Sequence, residues 1–595
     1  MCGIIACRTI QPAVEYLCTG LRRLEYRGYD SVGVALQTAT AEVAHLRTVE
    51  RIGALDELVR GWSGAPLNGV GIGHTRWATH GLVSEENAHP HADCNRRIFV
   101  AHNGIILNAD QLRDELTRSG HRIATAVDSE VLSHLIEDAL SEHRDLFKAV
   151  QTGLTRVQGT WAIAVLERGT GRIVVASNGS PLLVAHSAHG VFAASDIAAI
   201  VDWTDEFQVL GDGDVVELVD GGQWVRAEAD SVPLISRRCS WQGRDADLNG
   251  YSDFMAKEIN EQPAAACRVI DDLGTSIDSG ELWTDRGLGT FDRLKIIGCG
   301  TSMNAGLVIG NVVRRLGRIP VTCTIASEAA DDIPETGQLT LAISQSGETA
   351  DVLQALTSDA IGGAPLVALT NNQHSSLARR ADAVLNCDAG PEIGVAATKT
   401  FVCQVIAGAA LMISGLSATG RIDRSAAARL TDDLRRLPEK LAAALNVAQC
   451  RVPPLIEELS DCAGFIFIAK GSGLPYAAEG ALKLKELTYR WAEHYPAGEL
   501  KHGPLALIGA GTPVVVVDNG DTRLRANMAE IAARGGQLLT IGSADSAIDV
   551  ASDPSAAWGP LEATVPLQVL ARTLALSLGH DVDKPRNLAK SVTVQ

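Results

Sequence analysis

An α+β layered domain followed by two doubly wound, parallel-sheet α/β units is the architecture this sequence predicts, on three observations. The chain has 595 residues, too many for one core, so several domains are expected. From residue 2 to about 220, short apolar runs bounded by turns alternate with two evident helices. After Phe291 the pattern changes to strand, glycine turn and helix, and this grammar occurs twice.

The chain opens MCGIIAC. A small second residue permits removal of Met1, so Cys2 would begin the mature chain with a thiol and a free α-amine on one residue. A thiol attacks only as thiolate, and an amine of pKa about 7.7–8.0 can take its proton at neutral pH. The alternative is a buried cysteine beside an amino-terminal strand. VGVAL, RIFVAHNG, WAIAVLE, RIVVASNGS and VFAAS read as further strands. Three stretches accompany them: GHTRWATHG at 73–81, NAHPH at 87–91 and AHNGII at 101–106. An asparagine side-chain amide beside a glycine N–H, Asn103 and Gly104, forms the donor pair that a tetrahedral oxyanion requires. Arg76 offers a bidentate carboxylate anchor, and Asp128 can receive an ammonium group. Together they specify an α-amino acid. His80 and His89 are candidate zinc ligands, but their spacing fits no standard site, so no metal is expected.

Through SRRCSWQGRDADLNG the periodicity lapses, and a linker is placed over 221–285. The α/β units follow over 286–425 and 456–580, with a tail over 581–595. LKIIGCGTS aligns with IFIAKGSG, putting Gly300 on Gly471 and Ser302 on Gly473, and LTLAISQSGET aligns with PVVVVDNG. The copies differ where strands meet helices. The first carries Ser302, then Ser344, Gln345, Ser346 and Thr349, hydroxyls and an amide beside free backbone N–H groups, which suit a phosphate. The second carries Gly473 and Asp518-Asn519-Gly520, and an aspartate there repels phosphate. Serines and threonines also serve as plain helix caps. In EGALKLKEL, Lys483 and Glu486 lie three apart and share a helix face, either as a surface ion pair or as a catalytic one. The apolar run from Phe401, FVCQVIAGAALMISGL, is too short and too polar at Gln404 for a membrane span and is read as a buried helix, also suited to symmetric contacts between chains.

Composition bounds the partners. Acidic side chains outnumber basic ones, 71 to 52, for a formal charge of −19 without a basic block, which argues against nucleic acid and anionic membrane. Twelve cysteines fall singly, without CxxC pairs, as in a reducing cytoplasm, and no secretion signal is apparent.

MCGI, LRRLEYRGYDS, HTRWATHG and HNGII resemble the N-terminal-nucleophile (Ntn) glutaminase domain of type-2 glutamine amidotransferases. SQSGET, EIGVAATKTF, EGALKLKEL, AGELKHGPLALI and DVDKPRNLAKSVTVQ resemble paired sugar-isomerase (SIS) domains. The collinear combination is similar to the isomerising glutamine:fructose-6-phosphate aminotransferase family. The resemblance implies Cys2 as glutaminase nucleophile, Asn103 and Gly104 as oxyanion hole, and Arg76, Thr79, His80, His89 and Asp128 as glutamine contacts. Trp77 would gate an internal ammonia channel. Ser302, Ser344, Gln345, Ser346, Thr349 and the Val395 backbone would contact the sugar phosphate, with Lys483, Glu486, His502 and Lys590 as acid–base and Schiff-base residues. It implies L-glutamine and D-fructose 6-phosphate as substrates, D-glucosamine 6-phosphate as product, no cofactor, a cytoplasmic homodimer, and a loop bearing His502 that reaches the neighbouring subunit.

Opening a fructose ring, adding ammonia at C2 and moving a proton from C1 to C2 require a histidine, a carboxylate and, optionally, a lysine, and the motifs supply one of each. Lys590 has an alternative as a solvated tail charge. Two departures stand out: Leu107 replaces an acidic residue in HNGIILN, and Ala329-Ala330-Asp331-Asp332 replaces an aromatic and basic run. They leave open a paralogue aminating a related sugar phosphate in a specialised aminosugar pathway. No SGGxDS ATP loop or phosphoribosyl loop is present to suggest another amidotransferase, and no DNA-binding module to suggest a sugar-phosphate sensor.

Overall fold

A computed structural model describes residues 2–219, 223–226, 235–239, 241–274, 276–358 and 361–592 of the chain. They form two compact units, one of residues up to Asp247 with the tail from Ala589, the other of Leu248–Leu588.

The first unit is four layers deep. One antiparallel sheet of eight strands runs in the order Ser236–Arg238, Glu206–Val209, Leu183–Ser187, Gly190–Ala194, Gly3–Thr9, Leu67–Arg76, Ser31–Thr38, Val43–Thr48. A second, of six, runs Gln223–Arg226, Asp214–Val219, Ile173–Asn178, Gly159–Glu167, Ile98–Ile106, His91–Ala92. Successive side chains of a strand point to opposite faces, so each strand feeds two cores. Ile4 and Ala6 enter the layer between the sheets with Phe99, Ala101, Ala162 and Ala164. Ile5 and Cys7 point the other way, onto Leu17 and Leu21 of the helix Ala13–Leu24. Ile98 and Val100 likewise meet Leu112, Leu116, Leu132 and Leu135 of the helices Ala109–Arg118 and Glu130–His143. Burial on both faces explains why these strands read as continuous apolar runs.

The second unit carries the repeat as two parallel five-stranded sheets of identical order. Arg293–Gly298 lies between Val321–Ile325 and Gln338–Ser344, followed by Leu366–Thr370 and Ala383–Asn386. Gly464–Ala469 lies between Trp491–Pro496 and Pro513–Asp518, followed by Gln537–Gly542 and Ile548–Asp549. The aligned glycines share one left-handed conformation, φ +51° at Gly300 and +52° at Gly471, which turns each first strand into its helix. The chain order reverses beside each first strand, opening a crevice at the strands' carboxyl ends. Ser302 and the Ser344–Thr349 turn border that crevice in the first copy.

Two expectations need correction. The linker placed over 221–285 is shorter: the unit boundary falls at Asp247, and Phe254–Leu273 is a helix whose Met255, Ile259, Ala266 and Val269 enter the core of the second unit. Its internal Pro263 and the polar stretch before it masked the apolar period. Residues 220–222 and 227–234 lie outside the described residues. The apolar helix is buried as expected, over Lys399–Ala418, but every residue from Lys399 to Leu416 is covered by its own chain. It is the central core helix, long and apolar enough to cross a membrane yet occupied on all sides, so it offers no surface for symmetric contacts.

Candidate active sites

The register of the first sheet builds the amino-terminal site. Gly3 pairs with Thr75, which sets Cys2 beside Arg76 and Trp77 as they leave the neighbouring strand. Gly3 must lack a side chain, since a Cβ there would meet Thr75 Oγ1 at 2.6 Å and Leu24 Cβ at 2.7 Å. The Trp77 N–H donates to Cys2 Sγ at 3.2 Å. Burial pushes the Cys2 thiol above its ordinary pKa, and the Trp77 amide and the Arg76 charge oppose that rise. From the facing sheet, Asn103 Nδ2 donates to the Cys2 carbonyl at 3.0 Å. Its Oδ1 is held by His74 Nε2 at 3.1 Å, which fixes which way the amide points.

Arg76 is 2 % exposed, and its charge faces Cys2, Asp30 and Asp128. Its guanidinium also donates to the carbonyls of His80 and Leu82, closing the 77–82 loop over its strand. Asp128, also buried, accepts the Ile106 N–H at 2.9 Å, so it is tied to the strand that carries Asn103. Cys2, Arg76, Trp77, Asn103, Gly104 and Asp128 thus belong to one locality. Thr79 and His80 sit on the exposed loop, joined to each other at 3.2 Å. His89 is packed inside a row, stacked on His74 at 4.1 Å and edge-on to His91 at 4.3 Å, and its Nδ1 accepts the His102 N–H. The Trp77 indole rests edge-on against Tyr29 at 5.6 Å. Leu107 projects into solvent, 77 % exposed.

In the second unit, Ser344 Oγ and Thr349 Oγ1 lie 2.7 Å apart, and the Gly347 N–H donates to Ser344 Oγ at 3.0 Å. The Glu348 N–H donates to Ser346 Oγ at 3.1 Å. These are the hydroxyls and amides of a tight turn at a strand's carboxyl end. Gln345 anchors it, its carbonyl accepting the Asn371 N–H at 3.0 Å. Ser302 accepts from Gln404 Nε2 of the core helix at 3.1 Å. The matching turn of the second copy is closed on itself: Asn519 Nδ2 donates to the Lys470 carbonyl and Ser472 Oγ, at 2.9 and 3.1 Å. The Val395 N–H is held by the Asp583 carbonyl at 3.0 Å.

Lys483 is buried, with Nζ 2.6 Å from Glu486 Oε2 and 3.6 Å from Glu479 Oε1. Burial works against its charge, but the two carboxylates outweigh it and hold the ammonium above its ordinary pKa. Glu479 also accepts from Thr301 Oγ1 at 2.9 Å and Asn304 Nδ2 at 2.8 Å, so the helix Leu474–Thr488 of the second copy is tied to Gly300–Gly317 of the first. His502 is exposed in the Ala497–His502 turn, and Lys590 is half-buried in the tail grouped with the first unit.

A glutamine amidotransferase domain model matches residues 74–202, and a SIS domain model matches 291–414 and 458–555. The isomerizing glutamine–fructose-6-phosphate aminotransferase of Halobacterium salinarum is 41 % identical over 612 residues, covering all of both chains. That of Thermus thermophilus is 39 % identical over 614 residues, with the same full coverage. The chain belongs to the glutamine–fructose-6-phosphate aminotransferase family. Among solved structures, the C-terminal domain of glucosamine-fructose-6-phosphate aminotransferase from Francisella tularensis, 34 % identical, covers 57 % of this chain and all of its own, with a TM-score of 0.52.

As a member of that aminotransferase family, the chain joins an Ntn glutaminase domain to two SIS domains. Sequence reading missed the residues that hold the named ones in place. Asp30, within LRRLEYRGYDS, accepts the Ala78 N–H at 2.8 Å and faces Arg76. His74 orients Asn103, and Glu479, the first letter of EGALKLKEL, binds Lys483 to the other copy. Each lies inside one of the sequence motifs, so the signal was present in the sequence. What it lacked was the partner, which only the fold supplies. The substituted run at 329–332 serves a local pair, with Asp332 Oδ2 2.8 Å from the buried Lys295 Nζ.

Proposed function

We propose that this chain transfers the amide nitrogen of L-glutamine to D-fructose 6-phosphate and isomerises the adduct to D-glucosamine 6-phosphate, releasing L-glutamate. The observation that carries this reading is a seated amino-terminal thiol and a buried lysine–glutamate pair on one chain, each in the domain whose chemistry needs it.

In the first site, removal of Met1 frees the Cys2 amine. Cys2 Sγ attacks the glutamine amide carbon while the amine takes the thiol proton. Asn103 Nδ2 and the Gly104 N–H meet the oxyanion. Collapse expels ammonia, leaving a thioester that water hydrolyses to glutamate. Arg76 holds the substrate carboxylate and Asp128 its ammonium. Thr79 and His80 on the loop, and His89 behind it, complete the glutamine pocket, and the Trp77 indole gates the route for ammonia.

In the second site, Ser302, Ser344, Gln345, Ser346 and Thr349 hold the sugar phosphate, with the Val395 backbone alongside. His502 opens the ring and Glu486 moves the proton from C1 to C2. Lys483 stays protonated between two carboxylates, which suits orienting Glu486 and not forming an imine. The Schiff-base role therefore falls to Lys590. A homodimer brings the exposed His502 of each chain to the neighbouring site. The test is to supply amide-¹⁵N glutamine with fructose 6-phosphate and follow the label by mass spectrometry. Label in an aminosugar phosphate is expected; label only in free ammonium would overturn the reading.

A further inference from the structure

Within the glutaminase unit, four side chains that the reaction does not use converge at one point. Cys94 lies in the turn after the short strand His91–Ala92, His121 just beyond the helix Ala109–Arg118, and His134 and Glu137 one turn apart on the helix Glu130–His143. Their donor atoms all lie within 4.8 Å of one another. Cys94 Sγ is 3.6 Å from His121 Nδ1 and 3.5 Å from His134 Nδ1. Glu137 Oε2 is 3.1 Å from His121 Nδ1 and 3.5 Å from His134 Nδ1.

Those four separations match edges of a coordination tetrahedron. Zinc bonds of about 2.3 Å to sulfur and about 2.0–2.1 Å to nitrogen or oxygen give edges of about 3.6 Å for a sulfur–nitrogen pair and about 3.3 Å for a nitrogen–oxygen pair. The surroundings are arranged to suit. His121 Nε2 is 2.8 Å from Asp138 Oδ1, a contact that puts the ring proton on Nε2 and leaves the Nδ1 lone pair facing the centre. His134, 1 % exposed, has Nε2 3.6 Å from Glu130 Oε1 and, among the described residues, no hydrogen-bond partner on it. Asn95 Nδ2 takes the outer carboxylate oxygen of Glu137 at 2.7 Å, turning the other inward. The Arg122 N–H donates to Cys94 Sγ at 3.3 Å, as a metal-bound thiolate accepts.

We propose that Cys94, His121, His134 and Glu137 form a structural zinc site. One thiolate and one carboxylate neutralise the dication, two neutral imidazoles complete the set, and the sulfur–nitrogen mixture favours zinc over oxygen-seeking cations. All four positions are filled by the protein, which makes the site structural and not catalytic. Cys94 is exposed, so the ion has a way in. The three segments it joins have consequences for the glutamine pocket: the turn of Cys94 follows the His89–His91 row, and the helix of His134 begins just after Asp128. Sequence spacing gave no signal because the ligands come from three separate segments.

The test uses the full-length chain stripped with chelator, then dialysed against zinc or cobalt(II). The site predicts one zinc per chain by mass spectrometry. It also predicts a thiolate-to-cobalt charge-transfer band with intense tetrahedral ligand-field bands, bleached by zinc. Cys94→Ser removes the charge-transfer band, whereas Cys94→Asp keeps zinc without it, so a loss through misfolding is told apart from loss of a ligand. Asp138→Asn, which touches the metal only through His121, weakens zinc by about 10–100-fold. A stripped chain that takes up no zinc, or a charge-transfer band that survives Cys94→Ser, overturns the proposal.

Discussion

The nucleophile role proposed for Cys2 sets two requirements against each other: the thiol must be buried to meet the amide carbon away from water, and it must ionise to attack. Burial raises its pKa, so the Trp77 N–H at 3.2 Å and the nearby Arg76 charge do not suffice without a base, and the residue's own amine is the base at hand. Cys2→Ala is therefore expected to abolish glutamate release, and a chain that keeps Met1 or an amino-terminal tag to lose nearly all of it. Full glutaminase activity in a verified unprocessed chain would refute the role of the amine. In the proposed oxyanion hole, Asn103→Ala removes a donor needed only once the oxyanion forms, so kcat for glutamine hydrolysis should fall about 10²–10³-fold with little change in KM. An equal rise in KM would assign Asn103 to substrate binding instead. The roles proposed for these residues could be read from the sequence because each carries its chemistry in its own atoms. The His74 contact that aims Asn103, and the folding of His89 into a stacked row, could not, because they depend on which strands become neighbours.

At the scale of elements, the row His74, His89 and His91 sits where a strand end meets the 89–91 segment, all three buried. Burial holds His74 down to about 3 and pushes His89 and His91 well below their ordinary range. In the unfolded chain each titrates near about 6.5. Above that pH both states are neutral and the stabilisation is complete. As pH falls below it, the unfolded chain gains protons that the folded one refuses, and stability drops by about 1.4 kcal/mol per pH unit per histidine. The urea midpoint of the glutaminase unit, followed by loss of glutaminase activity on dilution, should fall steeply from pH 6.5 to 5. A flat midpoint over that window would show that the row protonates without cost. The repeat makes a second prediction. Ser346→Ala with Thr349→Ala removes two of the donors proposed to hold the charged phosphate, each worth about 1.5–3 kcal/mol, and should raise KM for the sugar phosphate at least about tenfold. Asn519→Ala, in the turn closed by its own side chain, should leave KM unchanged. Equal effects would mean that both copies bind phosphate. The repeat was readable because a strand breaking at glycine is a local event. The helix Phe254–Leu273 was not, because its membership of the core depends on Lys399–Ala418, more than a hundred residues away.

For the whole molecule, the decisive residue is His502. Lys483 and Glu486 are bound to each other at 2.6 Å, whereas His502 lies exposed on the Ala497–His502 turn, with no hydrogen bond or ion pair to either among the described residues. The proposed acid–base role requires His502 to reach the sugar ring although it faces solvent in its own chain, and the proposed twofold dimer meets that requirement if each chain lends its turn to the other's site. The apolar helix Lys399–Ala418 is covered by its own chain, so the proposed dimer would have to use other surfaces. The arrangement predicts complementation between two inactive proteins. His502→Ala leaves Glu486 intact, and Glu486→Gln leaves His502 intact. In a mixed dimer, the site built on the His502→Ala chain's own Glu486 receives the His502 of its partner and regains both groups, while the other site has neither. Co-expression of the two, with different affinity tags so that only mixed dimers are purified, should restore up to half of the parental rate of aminosugar phosphate formation per dimer. If His502 serves its own chain, every site in the mixed dimer lacks one group, and the rate stays at the level of the single variants.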